Sequence, residues 1–362
     1  MELNMKSRIT LSNGVTMPIL GYSTEHYAYN ELTEMEIILD ALDAGYRYIE
    51  TSLEYGSMRA LGRAVRKSGI PREELFISSK NRIDELAQRT ICDSFNEALD
   101  ETGLEYLDLF SVNWPYFSSF VRAWVGAGED EKPHGYPQGL QDFYDMGLVR
   151  AIGVCNFDVK HLEQIIEHPR CRIVPMIDQS HFHPEYTCRE LRKYCAEHHI
   201  AFGGLFLDDH TKKTTKRVIM TDAWDSGEYF ETDDERKLAN DYQFGKWEED
   251  NKYHRMNRAH AEDGYVQPPF DPLKDPRRER FYYEDSAPVM EIAGKYQKTA
   301  SQIVTRWSLQ HGAVTLVKTM SDIEMRREAD VFDFQLTDEE MDKIDSLNVE
   351  RRIGYHPDFI DF

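Results

Sequence analysis

Eight short apolar segments, spaced along the chain with longer segments between them, constrain the fold more than any other feature. They are PILGYS (18–23), YRYIETS (46–52), LFISSK (75–80), LDLFSVNW (107–114), VRAIGVCNF (149–157), IVPMIDQS (173–180), AFGGLFL (201–207) and VTLVK (314–318). Most segments between them, such as EMEIILDALDAG, have apolar residues at the three- and four-residue spacing of a helix. Eight strand–helix units predict an α/β fold of the parallel (β/α)8 TIM barrel type.

A doubly wound open sheet is the main alternative to the barrel. That fold binds nucleotides on a glycine-rich turn after its first strand. Here the first strand leads into YSTEHY, which contains no glycine, so the barrel is favoured. Asn13-Gly14 lies between two short alternating runs and predicts an N-terminal β-hairpin ahead of the barrel.

Residues 208–285 interrupt the alternation between the seventh and the eighth strand. A charged segment of this length is typical of a disordered loop. Its many aromatic residues favour burial instead. We therefore expect an ordered lid or a homo-oligomer contact, with a disordered loop as the alternative. Residues 1–362 would then form a single barrel that carries this insertion.

Composition excludes several classes of partner. A formal net charge of −22 disfavours nucleic acid and anionic membrane surfaces, which would repel the chain. The N-terminus lacks the apolar region of a signal peptide, and no run of 18 apolar residues occurs. Five irregularly spaced cysteines indicate reduced thiols and a cytoplasmic location.

Cys188 and Cys195, with His181 and His183, could suggest a metal site. Their spacing matches no standard set of metal ligands. The sequence therefore predicts no bound metal.

Polar residues at the ends of the predicted strands are the candidates for chemistry, because catalytic groups of such barrels lie there. Glu50 lies at the end of the second predicted strand, and Tyr55 follows it. Lys80 ends the third predicted strand, and Asn113 lies at the end of the fourth. A lysine ammonium lowers the pKa of a nearby tyrosine, and a carboxylate orients the lysine. Such a tyrosine can donate a proton to a carbonyl as hydride arrives.

With these residues in place, the sequence resembles the aldo-keto reductase family. The matching segments include GYRYIETSLEYG, REELFISSK and GLVRAIGVCNF, and together they cover most of the chain outside 208–285. The resemblance implies a barrel that binds a nicotinamide cofactor without a Rossmann domain and interconverts a carbonyl and an alcohol. The family's catalytic Asp, Tyr, Lys and His fall on Glu50, Tyr55, Lys80 and Asn113.

The two changed positions predict a slow or altered enzyme. Glu50 is one methylene longer than aspartate, and a misplacement of about 1 Å can cost on the order of a hundredfold in rate. Asn113 can donate a hydrogen bond to a substrate carbonyl but cannot carry a proton at neutral pH. Two other interpretations stay open. One is a barrel without turnover that senses a nucleotide or binds a partner, and the other is an isomerase that uses a tightly bound cofactor for transient oxidation.

The resemblance also implies a set of cofactor-binding positions. They are Ser23, Thr24, Cys155, Asn156, Gln179, Phe206, Lys318, Thr319, Glu324 and Glu328. Cys155 replaces the usual serine, and Phe206 or Leu205 replaces the tyrosine that stacks on nicotinamide. Trp114, Tyr116, Trp124 and part of the insertion are expected to line a pocket for a small carbonyl, sugar or polyol.

Glu324 and Glu328 predict that NAD(H) is favoured over NADP(H). Glu324 stands where the family often has an arginine that grips the 2′-phosphate, and Glu328 stands where asparagine is common. Residues four apart share a helix face, and a phosphate about 4 Å from a carboxylate is repelled by roughly 4 kcal/mol at an effective dielectric of 20. Arg326 and Arg327 are expected on other faces. The alternative is that both glutamates are solvated and the tight cofactor grip is lost.

Overall fold

The computed structural model describes residues 3–25, 30–82, 90–115, 119–126, 138–205, 282–352 and 357. The predicted insertion at 208–285 therefore lies outside the described residues, except for its last four.

An antiparallel hairpin precedes the barrel. It consists of β1 (Arg8–Thr10) and β2 (Thr16–Pro18). Gly14 in the connection has φ +87°, a left-handed conformation that glycine adopts without steric cost. The hairpin predicted from Asn13-Gly14 is confirmed.

Eight parallel strands form a closed barrel, as predicted. They are β3 (Leu20–Ser23), β4 (Tyr48–Glu50), β5 (Phe76–Lys80), β6 (Leu107–Asn113), β7 (Val149–Cys155), β8 (Ile177–His181), β9 (Ala201–Leu205) and β10 (Val314–Val317). Each strand pairs with the next along the chain, and β10 pairs with both β9 and β3. The closure leaves no strand edge unpaired.

Helices surround the barrel. The described ones are α1 (Glu31–Asp43), α2 (Met58–Ser68), α3 (Ile91–Thr102), α4 (Ser119–Val125), α5 (Leu140–Asp145), α6 (Val159–Ile166), α7 (Arg189–Glu197), α8 (Ala287–Tyr296), α9 (Ala300–Gln310), α10 (Asp322–Ala329) and α11 (Asp338–Asp345). Several begin at a side chain that accepts a hydrogen bond from the first turn, including Asn30, Thr90 and Thr299. No helix in the described ranges is long and apolar enough to cross a membrane.

Most predicted strand boundaries in the described residues lie within two residues of those in the structure, and two differences are larger or change an assignment. β8 begins at Ile177, whereas the sequence predicted a strand from residue 173. Pro175 lies in between, and proline cannot donate to a strand ladder. Residues Tyr283–Asp285, assigned to the insertion from sequence, form a 3₁₀ helix whose Tyr283 is fully buried in the hydrophobic core.

The strand register places the predicted site residues at one end of the barrel. Ser23 is paired with Glu50 across β3 and β4. Asn113 is paired with Cys155, and Cys155 is paired with Gln179 on its other side. All five side chains are buried. Because these are the carboxyl ends of parallel strands, this is the end at which barrel enzymes have their active sites.

Candidate active site

Glu50, Lys80 and Tyr55 come together at the carboxyl ends of β4 and β5. Lys80 Nζ lies 2.9 Å from Glu50 Oε1 and 5.3 Å from the centroid of the Tyr55 ring. Both charged side chains are nearly inaccessible, with 9% and 4% exposed. A 3₁₀ helix, Leu53–Tyr55, is capped by Ser52 at its start and by Gly56 at its end. Gly56 has a φ of +70°, which turns the chain after the tyrosine.

Glu50 is held on both sides. Its second carboxylate oxygen accepts a hydrogen bond of 2.5 Å from Ser23 Oγ. Ser23, expected to bind cofactor, therefore contacts the carboxylate in this structure. The longer side chain keeps its pairing with Lys80, so the extra methylene has not separated the acid from the lysine.

Burial and charge set the protonation states of this group. Burial and the Glu50 carboxylate raise the pKa of Tyr55 well above its ordinary value, against the opposing effect of Lys80. Burial alone would lower the pKa of Lys80, but Glu50 and Tyr55 outweigh it and hold that pKa well above its ordinary value. The lysine is thus an ammonium and the tyrosine a neutral phenol at neutral pH. The lowered tyrosine pKa expected from the sequence is not found, because burial and the Glu50 carboxylate together outweigh the effect of the ammonium.

Asn113 is fixed by its neighbours at the end of β6. Its backbone N–H donates to Asn81 Oδ1 at 2.8 Å, and its side-chain Nδ2 lies 3.4 Å from the Asn81 carbonyl. Its Oδ1 lies 3.5 Å from Asn156 Nδ2. Asn156 has φ +65°, a left-handed conformation that asparagine tolerates better than most residues. The structure therefore brings Asn113 and Asn156 into one network.

Asn156 and Gln179 have the hydrogen-bonding polarity that a primary carboxamide requires. Gln179 Nε2 donates to the Tyr48 hydroxyl at 3.0 Å, so this amide is oriented to accept through Oε1. Asn156 points its Nδ2 toward Cys155 Sγ, 3.3 Å away, and sulfur is a weak acceptor that a carboxamide oxygen would replace as the partner of this donor. One donor beside one acceptor matches the oxygen and the NH₂ of a carboxamide. These residues fit the amide of a nicotinamide ring.

Lys318 and Thr319 follow β10. Lys318 Nζ lies 3.6 Å from Glu25 Oε2. Thr319 donates a 2.7 Å hydrogen bond to Glu324 Oε2. Ser301 donates a bond of the same length to Glu328. The two glutamates are therefore largely buried and hydrogen-bonded rather than solvated.

The expectation that Arg327 points away from these glutamates was wrong. It lies 3.5 Å from Glu324 and 3.6 Å from Glu328, because residues three apart are neighbours on a helix surface and arginine is long. Arg326 does point elsewhere and pairs with Asp43 at 2.6 Å. A guanidinium therefore offsets part of the negative charge that the sequence assigned to this face.

The predicted aromatic pocket is only partly supported by the described residues. Trp114 is at the end of β6 with φ +67° and is nearly buried. Trp124 does not reach the site: it is fully buried on α4, and its indole N–H donates to the Ile173 carbonyl at 2.8 Å. Its spacing in the sequence did not reveal this because a short helix turns the ring into the core. Tyr116 and Phe206 lie outside the described residues.

Thr24 and the cysteines complete the positions named from sequence. Thr24 is buried, and its hydroxyl lies 2.7 Å from Ser57 Oγ. All five cysteines are free thiols, and burial raises the pKa of Cys155 to about 12. Within the described part of the chain, no group of three or more His, Cys, Asp or Glu side chains is arranged to hold a metal ion.

Comparison with known proteins assigns this arrangement. The model of the Aldo/keto reductase family matches residues 19–349. The chain belongs to the aldo-keto reductase family. It is accordingly an oxidoreductase.

Relatives cover almost the whole chain. Glyoxal reductase of Bacillus subtilis is 30% identical over 361 residues, which is 99% of each chain. Methylglyoxal reductase DkgA of Escherichia coli is 28% identical over 352 residues, covering 97% of this chain and 96% of the relative. The crystal structure of a Bombyx mori aldo-keto reductase in complex with NADP superposes with a TM-score of 0.66 at 22% identity, covering 99% and 97%. That structure supports the fold.

Three residues of the site were not named from the sequence. Tyr48 is two residues before Glu50 in β4, so strand alternation could have placed both on one face. Asn81 directly follows Lys80 and could have been read from the strand end. Arg352 contacts Asn156, and no local sequence signal pointed from the C-terminal segment to the barrel.

Proposed function

We propose that this aldo-keto reductase reduces a small carbonyl compound, with dicarbonyls such as glyoxal and methylglyoxal as the first candidates. The buried Glu50–Lys80–Tyr55 group is the observation that carries the proposal. A neutral tyrosine beside a charged lysine can give a proton to a carbonyl oxygen as that oxygen becomes negative. The names of the glyoxal and methylglyoxal reductases support the substrate class.

Each polar side chain has a role in this reaction. Tyr55 donates the proton, and Lys80 stabilises the phenolate that forms. Glu50 keeps Lys80 charged and in place. Asn113 donates a hydrogen bond to the substrate oxygen through Nδ2. A nicotinamide cofactor, when bound, supplies the hydride, and Asn156 and Gln179 would hold its carboxamide.

The raised pKa of Tyr55 favours reduction over oxidation. A general acid must be protonated at working pH, whereas a general base for alcohol oxidation must be ionised. Burial and Glu50 keep the phenol protonated. The carbonyl is therefore the proposed substrate and the alcohol the proposed product.

A preference for NAD(H) over NADP(H) is part of the proposal. Glu324 supports it, since a nearly buried carboxylate would repel a 2′-phosphate and accept hydrogen bonds from ribose hydroxyls. Arg327 weakens this argument, because it partly neutralises the glutamate. We therefore expect a preference of about tenfold rather than an absolute one. A cytoplasmic location is also proposed, supported by the five free thiols.

The test is a parallel titration with NADH and NADPH, followed by oxidation of the better cofactor in the presence of glyoxal or methylglyoxal. Tyr55→Phe is the control that removes the proton donor. Glu324→Arg should shift the preference toward NADPH, while Glu328→Gln should change it less. A wild-type preference for NADPH would refute the charge argument. Binding of neither cofactor would refute the reductase and favour a barrel that has lost turnover.

A further inference from the structure

Arg352 connects the C-terminal segment to three loops of the active-site end. Its Nη2 lies 3.4 Å from Asn156 Oδ1. Its guanidinium carbon lies 5.5 Å from the Trp114 ring centroid and 5.7 Å from that of Tyr186. Trp114 follows β6, Asn156 follows β7 and Tyr186 lies in the loop after β8. The side chain is 7% exposed.

Among the residues that the structure describes, no close ion pair accounts for this buried charge. The carboxylate of Asp158 lies near Arg352, with its Oδ1 3.8 Å from Nη1. The Nε atom is buried and has no hydrogen-bond partner among the described residues. Burying a guanidinium without full hydrogen bonding is unfavourable. Its burial at this position therefore indicates a role other than a stabilising ion pair.

The segment that carries Arg352 is anchored to the loop after β8. The backbone N–H groups of Val349 and Arg351 both donate to the Glu185 carbonyl, at 3.1 and 3.0 Å. The Thr187 N–H donates to Asn348 Oδ1 at 3.1 Å. Arg352 is thus presented to Asn156 by a fixed backbone.

The chemistry of arginine decides which way the neighbouring amide faces. A guanidinium only donates hydrogen bonds, so Asn156 must turn its Oδ1 toward Arg352 and its Nδ2 into the site. That Nδ2 faces Asn113 Oδ1 at 3.5 Å. Asn113 must then present its own Nδ2, which uses one hydrogen toward the Asn81 carbonyl. The second hydrogen is left for a substrate oxygen.

Resting on the proposed function, we propose that Arg352 is a positioning residue that fixes the amide orientation of Asn156 and, together with the Asn81 carbonyl, that of Asn113. One orientation offers donors to both the nicotinamide carboxamide and the substrate carbonyl. The flipped orientation would offer acceptors to two oxygens and repel them. Arg352 stabilises the orientation that offers donors, because a guanidinium can only donate hydrogen bonds.

The test compares Arg352→Met, Arg352→Lys and Arg352→Gln with Arg351→Met as the matched control. Arg351 carries the same charge on the same segment but pairs with Glu185 at 3.4 Å. Calorimetry measures binding of the preferred dinucleotide and of ADP-ribose, which lacks the nicotinamide ring. Steady-state assays measure kcat and KM for glyoxal.

We expect Arg352→Met to weaken dinucleotide binding by about tenfold and to leave ADP-ribose binding within about twofold. Its kcat should fall on the order of ten- to a hundredfold, since the substrate donor is misdirected. Arg352→Lys should restore part of the loss because an ammonium also only donates. Arg352→Gln should not, because an amide can face Asn156 with either end.

Each outcome separates this inference from the proposed function. If wild type turns over and Arg352→Met matches Arg351→Met, the inference is wrong and the reductase stands. Equal loss of ADP-ribose and dinucleotide binding would show a structural role and overturn the positioning role. If Arg352→Met does not fold, the comparison of Arg352→Lys with Arg352→Gln decides, and a kcat in the Lys variant no higher than in the Gln variant overturns the inference. If wild type binds neither ligand, the reductase and the inference both fail.

Discussion

Restoring the family's aspartate, by Glu50→Asp, should reduce activity rather than improve it. The Glu50 carboxylate reaches Lys80 at 2.9 Å while also accepting from Ser23. Removing one methylene withdraws it by about 1.5 Å, to a separation of ~4.4 Å if the backbone stays in place. At an effective dielectric of 20, the attraction between the two charges falls from about 6 to about 4 kcal/mol. A loss of about 2 kcal/mol at the proton donor corresponds to roughly thirtyfold in rate.

The assay is single-turnover reduction of glyoxal, with kcat and KM measured in parallel. Glu50→Gln keeps the length of the side chain but removes its charge, and Tyr55→Phe defines the rate without a proton donor. We expect Glu50→Asp to lie between wild type and both of these. Equal or higher activity in Glu50→Asp would refute the reasoning, since it would mean that strand β4 or Lys80 moves to meet a shorter carboxylate without loss.

Three further outcomes are expected. Because burial and Glu50 keep the pKa of Tyr55 high, reduction should be independent of pH from about pH 6 to about pH 9. Glu50→Gln should bring in a decline on the alkaline side, and an unchanged profile would contradict this. Gly21→Ala should lower the free energy of unfolding by about 1–3 kcal/mol in urea, because its Cβ would lie 2.3 Å from the Tyr48 ring; an unchanged midpoint would show that the ring can move. Trp124→Phe should cost about 1–3 kcal/mol of stability with kcat unchanged, and a selective fall in kcat would return Trp124 to the pocket.

The barrel could be predicted because its signal is repeated eight times. The apolar runs are short and most are followed by a helical pattern, so an error at one boundary, as at Pro175, does not change the topology. The ends of parallel strands then lie together whatever the exact register. Glu50, Lys80 and Asn113 could therefore be grouped from sequence before any distance was known.

Long side chains and distant segments set the limit of such prediction. A sequence shows that Arg327 is near Glu324 on a helix, but the rotamer that joins them depends on tertiary packing. It shows Glu50 as too long for its family position, but the compensating contact comes from Ser23 on another strand. Both errors concern where charge is neutralised.

The same limit explains why amide orientation cannot be read from residue types. Asn113 is a hydrogen-bond donor to substrate only if its NH₂ faces the substrate, and an asparagine in isolation has no preference between its two ends. The direction is set by the nearest group that can act in one sense only. For Asn113 that group is the Asn81 carbonyl. For Asn156, whose Nδ2 faces Asn113, it is Arg352, which lies 239 residues further along the chain than Asn113. If the role of Arg352 is confirmed, the function of the asparagine at residue 113 depends on the C-terminal segment. The activity of such a variant site should then be judged from its donor and acceptor pattern rather than from the catalytic residues alone.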